Sequence, residues 1–260
     1  MAAPPPITLG TINAGLAAAP GLVSQSGIDC QVSDARKIGE DEKTKSIFYE
    51  LACTGSEGFV IGQPAKGSKF PMVIYSCLEA AQSKRAAKNG AACALPENDD
   101  PKAGIAPLVA QYEPGCQVTN ARAIGHSDTA TALEVACQSG AGYVVQASYP
   151  LSDSKPAIFS PCAGIRPDMN LQCTLTDAGA THTYLASLVV KAGKPCDMKA
   201  YRFVGLGVGI NDNGDAYFEV ACVDGGGLML DVDGAGDVYP TSCEQADDIA
   251  GGCKLTKAPH

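Results

Sequence analysis

Three residue patterns in this chain of 260 residues have the types and spacing for chemistry. The first is an arginine six residues after one cysteine and a glutamate three before the next, found at Arg36 and Glu50, at Arg122 and Glu134, and at Arg202 and Glu219. Opposite charges on neighbouring strands form cross-strand ion pairs. An active site is seldom built three times, so these six residues read as structural. The second pattern is the acidic run Asp231-Val-Asp-Gly-Ala-Gly-Asp237. Oxygen ligands at alternate positions suit calcium, which makes Asp231, Asp233 and Asp237 its candidate ligands. The twelfth position of a loop starting at Asp231 is Ser242 rather than the glutamate an EF-hand requires. Asn211 to Asp215 has the same composition, and both stretches read first as hairpin turns. The third is Gly125-His-Ser-Asp128, which holds the residue types of a hydrolase triad, but neighbours in one turn cannot point at one another in a relay. His182 reads as a helix-surface or capping neighbour. No pair of acids stands out as the acid and base of a glycosidase.

These residues hang on a repeated framework. Twelve cysteines fall into three sets of four, with a period of about 80 residues. Cys30, Cys116 and Cys196 are in register, as are Cys53, Cys137 and Cys222, then Cys77, Cys162 and Cys243, and finally Cys93, Cys173 and Cys253. The organisation read from this is a proline-rich arm at 1–8 and repeats at 9–94, 95–174 and 175–260. A unit of this size has a modest core that disulfides commonly supplement in an oxidising compartment. The paired spacings of zinc or haem sites are missing, and His126, His182 and His260 do not recur between repeats. Four cysteines allow three connectivities. Cys30 and Cys53 are nearly symmetric about a turn near Asp41, and this favours first-to-second and third-to-fourth pairing, each bridge contributing roughly 3 kcal/mol.

Each repeat opens with an alanine-rich helical segment, in which Ile12, Leu16 and Ala19, or Tyr184, Leu188 and Lys191, share a face, with Pro20 and Pro107 limiting its length. A hairpin follows, from Cys30-Gln-Val-Ser-Asp-Ala-Arg36 and its echoes to Phe48-Tyr-Glu-Leu-Ala-Cys53, Ala132 to Cys137 and Tyr217 to Cys222. Strict alternation puts Arg36 and Glu50 out of phase, so their pairing demands a β-bulge. Glycine at 58, 142 and 227 precedes a third strand and suggests a positive φ or a tight bulge. A fourth extended piece reaches the third cysteine. The expected class is α+β and β-rich: three tandem homologous repeats, each a small antiparallel sheet of three to four strands with a short helix, stapled by two disulfides.

A net charge of -9 argues against nucleic acid. From Asp197 onward eleven Asp and Glu stand against four Lys and Arg, whereas Lys84, Arg85 and Lys88 form a basic segment in the first repeat and are candidates for a partner surface. No run of about 18 apolar residues predicts a membrane span. Met1-Ala-Ala-Pro-Pro-Pro fits a mature chain whose signal peptide has been removed.

The run Tyr217-Phe-Glu-Val-Ala-Cys-Val-Asp-Gly-Gly-Gly-Leu228, with echoes at Tyr49 to Phe59 and Leu133 to Tyr143, resembles a motif of uncharacterised exported proteins of proteobacteria. In the third repeat Leu228 replaces the aromatic. The resemblance implies an envelope location and carries no activity. The expectation is a non-catalytic binding or scaffold protein, periplasmic or extracellular, whose partner is another envelope or extracellular protein. No cofactor is called for, and calcium is the one ion left open. The alternatives are a secreted hydrolase or carbohydrate-active protein with a cleft between modules, or an enzyme inhibitor presenting a rigid loop.

Overall fold

The computed structural model describes residues 6–82, 92–165, 171–207, 215–249 and 251–256. It contains three four-stranded antiparallel sheets, one from each repeat, with strands in chain order across each sheet. In the first repeat, helix α1 (Leu9–Ser26) leads to β1 (Val32–Asp41), β2 (Ser46–Cys53), β3 (Phe59–Gln63), β4 (Val73–Ser76) and the short α2 (Cys77–Gln82). The second has α3 (Pro101–Tyr112), β5 (Val118–His126), β6 (Ala130–Cys137), β7 (Gly142–Ser148) and β8 (Ile158–Pro161). The third has α4 (Ala178–Lys191), β9 (Met198–Leu206), β10 (Ala216–Cys222), β11 (Gly227–Val232) and β12 (Val238–Ser242). The chain also divides into two compact units, Met1–Leu108 with Ala121–Leu133 and Val145–Ile158, and Val109–Asn120 with Glu134–Val144 and Phe159–His260. The first sheet lies wholly in one unit and the third wholly in the other.

Each complete sheet packs a helix on one face. In the third repeat, Leu185, Leu188 and Val189 of α4 meet Phe218, Val220, Leu228 and Leu230, and each buried leucine contributes about 2 kcal/mol. In the first, α1 turns Gly15, Ala19 and Leu22 inward. A β-carbon on Gly15 would overlap the backbone of Arg36, so the helix rides directly on β1. The buried stripe therefore differs from the expected one, and Leu16 is 44 % exposed. Pro20 and Pro107 lie inside α1 and α3 rather than limiting them. The carbonyls they leave without an amide belong to Leu16 and Ala103, both exposed and open to water.

All twelve cysteines are paired, first with second and third with fourth in every repeat: Cys30–Cys53, Cys77–Cys93, Cys116–Cys137, Cys162–Cys173, Cys196–Cys222 and Cys243–Cys253. Such a complement fits an oxidising environment. No described helix is long and apolar enough to cross a membrane.

The glycines before the third strand do not have positive φ. They are required by crowding instead: a β-carbon at Gly58, Gly142 or Gly227 would overlap the side chain of Asn98, Thr176 or Thr256, which arrives from the segment beyond the fourth cysteine. Sequence alone shows a fixed glycine but not the chain that presses on it.

Candidate functional site

The repeated arginine and glutamate turn out to hold that same segment. Arg36 and Glu50 sit opposite one another in the β1–β2 ladder, whose register shifts between Val32 and Asp34 and again between Lys37 and Gly39. The first shift supplies the bulge that brings both onto one face. Both are fully buried, and the Arg36 Nε–H donates to Glu50 Oε2. Glu50 Oε1 then accepts from the amides of Ala94 (2.7 Å) and Leu95 (2.8 Å) and from Asn98 Nδ2 (2.9 Å).

In the third repeat Arg202 and Glu219 are likewise register partners beside a shift. Arg202 Nη2 donates to Glu219 Oε2 at 2.6 Å, and Glu219 Oε1 accepts from the amides of Lys254, Leu255 and Thr256. Burial opposes ionisation of Glu219, yet the Lys254 amide, Arg202 and the next two amides together hold its carboxyl below the usual range. Glu134 is fully buried and accepts from the amides of Thr174, Leu175 and Thr176, while Arg122 lies half-buried on β5. Each glutamate also lies close to the third-to-fourth cystine of its repeat, whose sulfurs are bonded to each other. The clamp is structural chemistry.

The three aspartates proposed for calcium are engaged separately. Asp231 Oδ2 accepts from the Tyr217 hydroxyl at 3.1 Å, Asp233 Oδ1 accepts from the Asp237 amide at 2.8 Å, and Asp237 Oδ1 pairs with Lys191 Nζ at 2.8 Å. Among the described residues no three of these carboxylates converge on one point. Lys84, Arg85 and Lys88 lie outside the described residues, as do 211–214 and His260.

His126 does not engage Ser127 or Asp128. Its Nδ1 lies 2.7 Å from Glu79 Oε1, and its ring stacks on Tyr149 at 4.2 Å between centroids. Ser127 Oγ instead accepts amide bonds within its own turn. Burial raises the Glu79 carboxyl, and His126 opposes that rise. His182 of α4 meets Tyr201 edge-on at 6.5 Å.

The residues best placed for function are ones the repeat does not predict. A narrow recess with about 20 Å³ of accessible space, room for about one water molecule, is lined by Glu113, Tyr143, Tyr184, Asp233, Phe218 and Val232. Glu113 follows α3 directly, three residues before Cys116, where the other repeats have Gly27 and Gly193, both in the left-handed conformation that closes a helix. The Glu113 amide donates to the Val109 carbonyl at 2.8 Å, as that of Gly27 donates to Val23. Burial pushes the Glu113 carboxyl up to about 7; a hydrogen bond from the Tyr143 hydroxyl opposes this, and Asp233 and Asp215 add to it. Tyr143 is raised well above the usual phenol range by burial and then by Glu113. Tyr184 is raised to about 12 by burial, Glu113 and Asp233.

A second acid breaks the repeat at Glu57, where the equivalent residues are Ala141 and Gly226. It is 4 % exposed; Oε1 accepts from the Leu78 amide at 2.8 Å, and Oε2 has no hydrogen-bond partner among the described residues. Burial raises its carboxyl to about 8, opposed by the Leu78 and Cys77 amides and helped by Asp100. Aligning the repeats on their cysteines and marking departures would have found both Glu57 and Glu113. What sequence could not show is that Tyr143, Tyr184 and Asp233, far apart in the chain, join Glu113.

Compared with protein-family models and with curated proteins, the chain matches none.

Proposed function

We propose that the chain is a non-catalytic binding or scaffold protein of the periplasm or the extracellular space, acting as an accessory subunit of a larger assembly. One observation carries this reading: Glu50, Glu134 and Glu219, the acids common to all three repeats, are buried and occupied by the chain's own amides. Among the described residues the acids of the repeated frame are taken up by the fold, and the copies differ from one another at Glu57, Glu113 and Asp233. That is how repeat proteins acquire binding surface. Six disulfides and the resemblance to exported proteins support the location, and the acidic balance of -9 speaks against a nucleic acid partner. The test is recovery of the oxidised, tagged chain from native envelope and secreted fractions under non-reducing conditions. A stoichiometric protein partner is expected, and clean recovery of the chain alone overturns the subunit role.

A hydrolase reading has one observation in its favour, the presence of Glu113 and Asp233 in one recess. Two carboxyl groups facing one cleft are the arrangement that glycoside hydrolysis uses. The short recess and the use of Asp233 in its own turn place this second. Release of nitrophenol from aryl glycosides, lost in Glu113→Gln, would move it first.

A further inference from the structure

The third repeat is hollow where the first is solid. Alternation turns Tyr217, Met229 and Asp231 to the face of their sheet opposite α4, which packs on Phe218, Leu228 and Leu230. The same face of the first repeat is a closed core of Ile38, Phe48, Val60, Tyr75 and Ala80, all buried. The ladders match position by position: Val60 pairs with Tyr75 as Met229 does with Thr241, and Gly62 lies between Phe48 and Val73 as Asp231 lies between Tyr217 and Tyr239. A β-carbon on Gly62 would overlap Phe48 and Val73, so the first repeat has no room for a side chain there. The third repeat carries a carboxylate at that place and has Thr241 in the position of the buried Tyr75. Its core gives way to a groove of about 500 Å³, lined by Val204, Tyr217, Met229 and Thr241, the counterparts of Ile38, Phe48, Val60 and Tyr75. Spaces of this size take small molecules.

The groove combines an apolar floor at Met229, which is fully buried, with the rings of Tyr217 and Tyr239 and the carboxylates of Asp231 and Asp248. Among the described residues no lysine, arginine or histidine lines it. The first repeat shows what this face takes. Within its own compact unit, His126 of β5 comes over Tyr75 at 6.4 Å between ring centroids, and its Nδ1 lies 2.7 Å from Glu79 Oε1. A ring bearing a nitrogen beside a carboxylate thus sits on the first core. In the third repeat Asp248 supplies the carboxylate, three positions beyond the counterpart of Glu79, while the lining supplies no nitrogen-bearing ring. A bare metal ion fits poorly, because no three metal-ligating atoms cluster there among the described residues. A cation carrying a ring fits both halves of the lining.

We propose that the groove bounded by Tyr217, Asp231, Tyr239 and Asp248 binds an aromatic ammonium ion, in which a short hydrocarbon stem joins a ring to the charged nitrogen; this goes beyond the scaffold role. The ring lies against Met229 and the tyrosine faces, in the space that Tyr75 takes up in the first repeat. The ammonium N–H groups donate to the two aspartates. A neutral molecule of the same shape keeps the apolar contact and loses the charge-assisted hydrogen bonds, which are roughly twice as strong as neutral ones.

The test is titration of the full-length oxidised chain with 2-phenylethylammonium, followed by ligand-detected NMR. 2-Phenylethanol and 3-phenylpropionate serve as neutral and anionic probes of similar shape. The expected result is saturable binding at least about tenfold tighter for the ammonium than for the alcohol, with the anion weakest. Asp248→Asn, at an exposed position, loses about tenfold. Thr241→Tyr restores the residue of the first repeat, which guards against a folding artefact, and fills the groove so that binding falls by about tenfold or more. Glu57→Gln leaves binding unchanged. Equal binding of alcohol and ammonium, no saturation, or undiminished binding in either groove variant overturns the proposal. A protein partner that is recovered by the parent and lost in Thr241→Tyr, alongside a failed titration, assigns the groove to that protein, overturns the proposal and leaves the scaffold role standing.

Discussion

Glu57 and Glu113 are two acids of similar placing and opposite circumstance. Each stands beside the third strand of one repeat and the helix of the next, and each departs from the repeat pattern. Over Glu57 the facing helix residue is Gly104, whose missing side chain lets backbone meet backbone; a β-carbon there would come within 2.7 Å of the Glu57 Cα. At the same position of the next helix, twelve residues before the first cysteine, stands Tyr184, and its ring lines a narrow recess. Glu57 is 4 % exposed and is held by the Leu78 amide. Glu113 is half-buried and takes a hydrogen bond from the Tyr143 hydroxyl. Raised proton affinity alone does not separate these cases, since both acids show it. Access does.

The largest break removes what both regions share. Glu50→Ala leaves Arg36 buried without its counter-ion and Ala94 and Leu95 without an acceptor, and should cost about 3–5 kcal/mol in denaturant unfolding of the oxidised chain. Glu57→Gln comes next. Folded Glu57 keeps its proton to about 8, whereas an unfolded glutamate releases it near 4.5. Its contribution to stability is therefore complete below pH 4.5 and lost as pH rises through 8. The variant should be more stable than the parent by roughly 2–4 kcal/mol at pH 9 and nearly equal to it at pH 4. Gly104→Ala should cost about 1–3 kcal/mol by forcing α3 off Glu57. The smallest effect belongs to Glu113→Gly, which should shift stability by less than about 1 kcal/mol. A loss as large as that of Glu50→Ala would erase the contrast by making Glu113 structural too.

The frame was legible because it is written three times. Cysteine spacing marks the repeats and implies the bridge pattern, alternation marks the strands, and the phase conflict between Arg36 and Glu50 already called for the bulge seen between Val32 and Asp34. The helix stripe was misread at Leu16 because alanine-rich segments have weak polarity contrast, and close approach at Gly15 decides the inward face. The role of Gly58 was misassigned because local sequence cannot reveal that Asn98 arrives from forty residues away. The recess was invisible for a similar reason. Asp233 drew notice as a candidate calcium ligand in a turn, and Glu113 drew none, since an acid at the end of a helix carries no motif.

The clamp also says where one copy of the module stops. Glu50, Glu134 and Glu219 reach past the fourth cysteine to amides at 94–95, 174–176 and 254–256. A gene fragment cut straight after Cys93 would encode both cystines of the first repeat and leave Glu50 with Arg36 alone, whereas one carried through Asn98 would also encode the amides that Glu50 receives. The length of chain that can be copied, swapped or expressed alone is thus measured from the carboxylate rather than from the sulfurs.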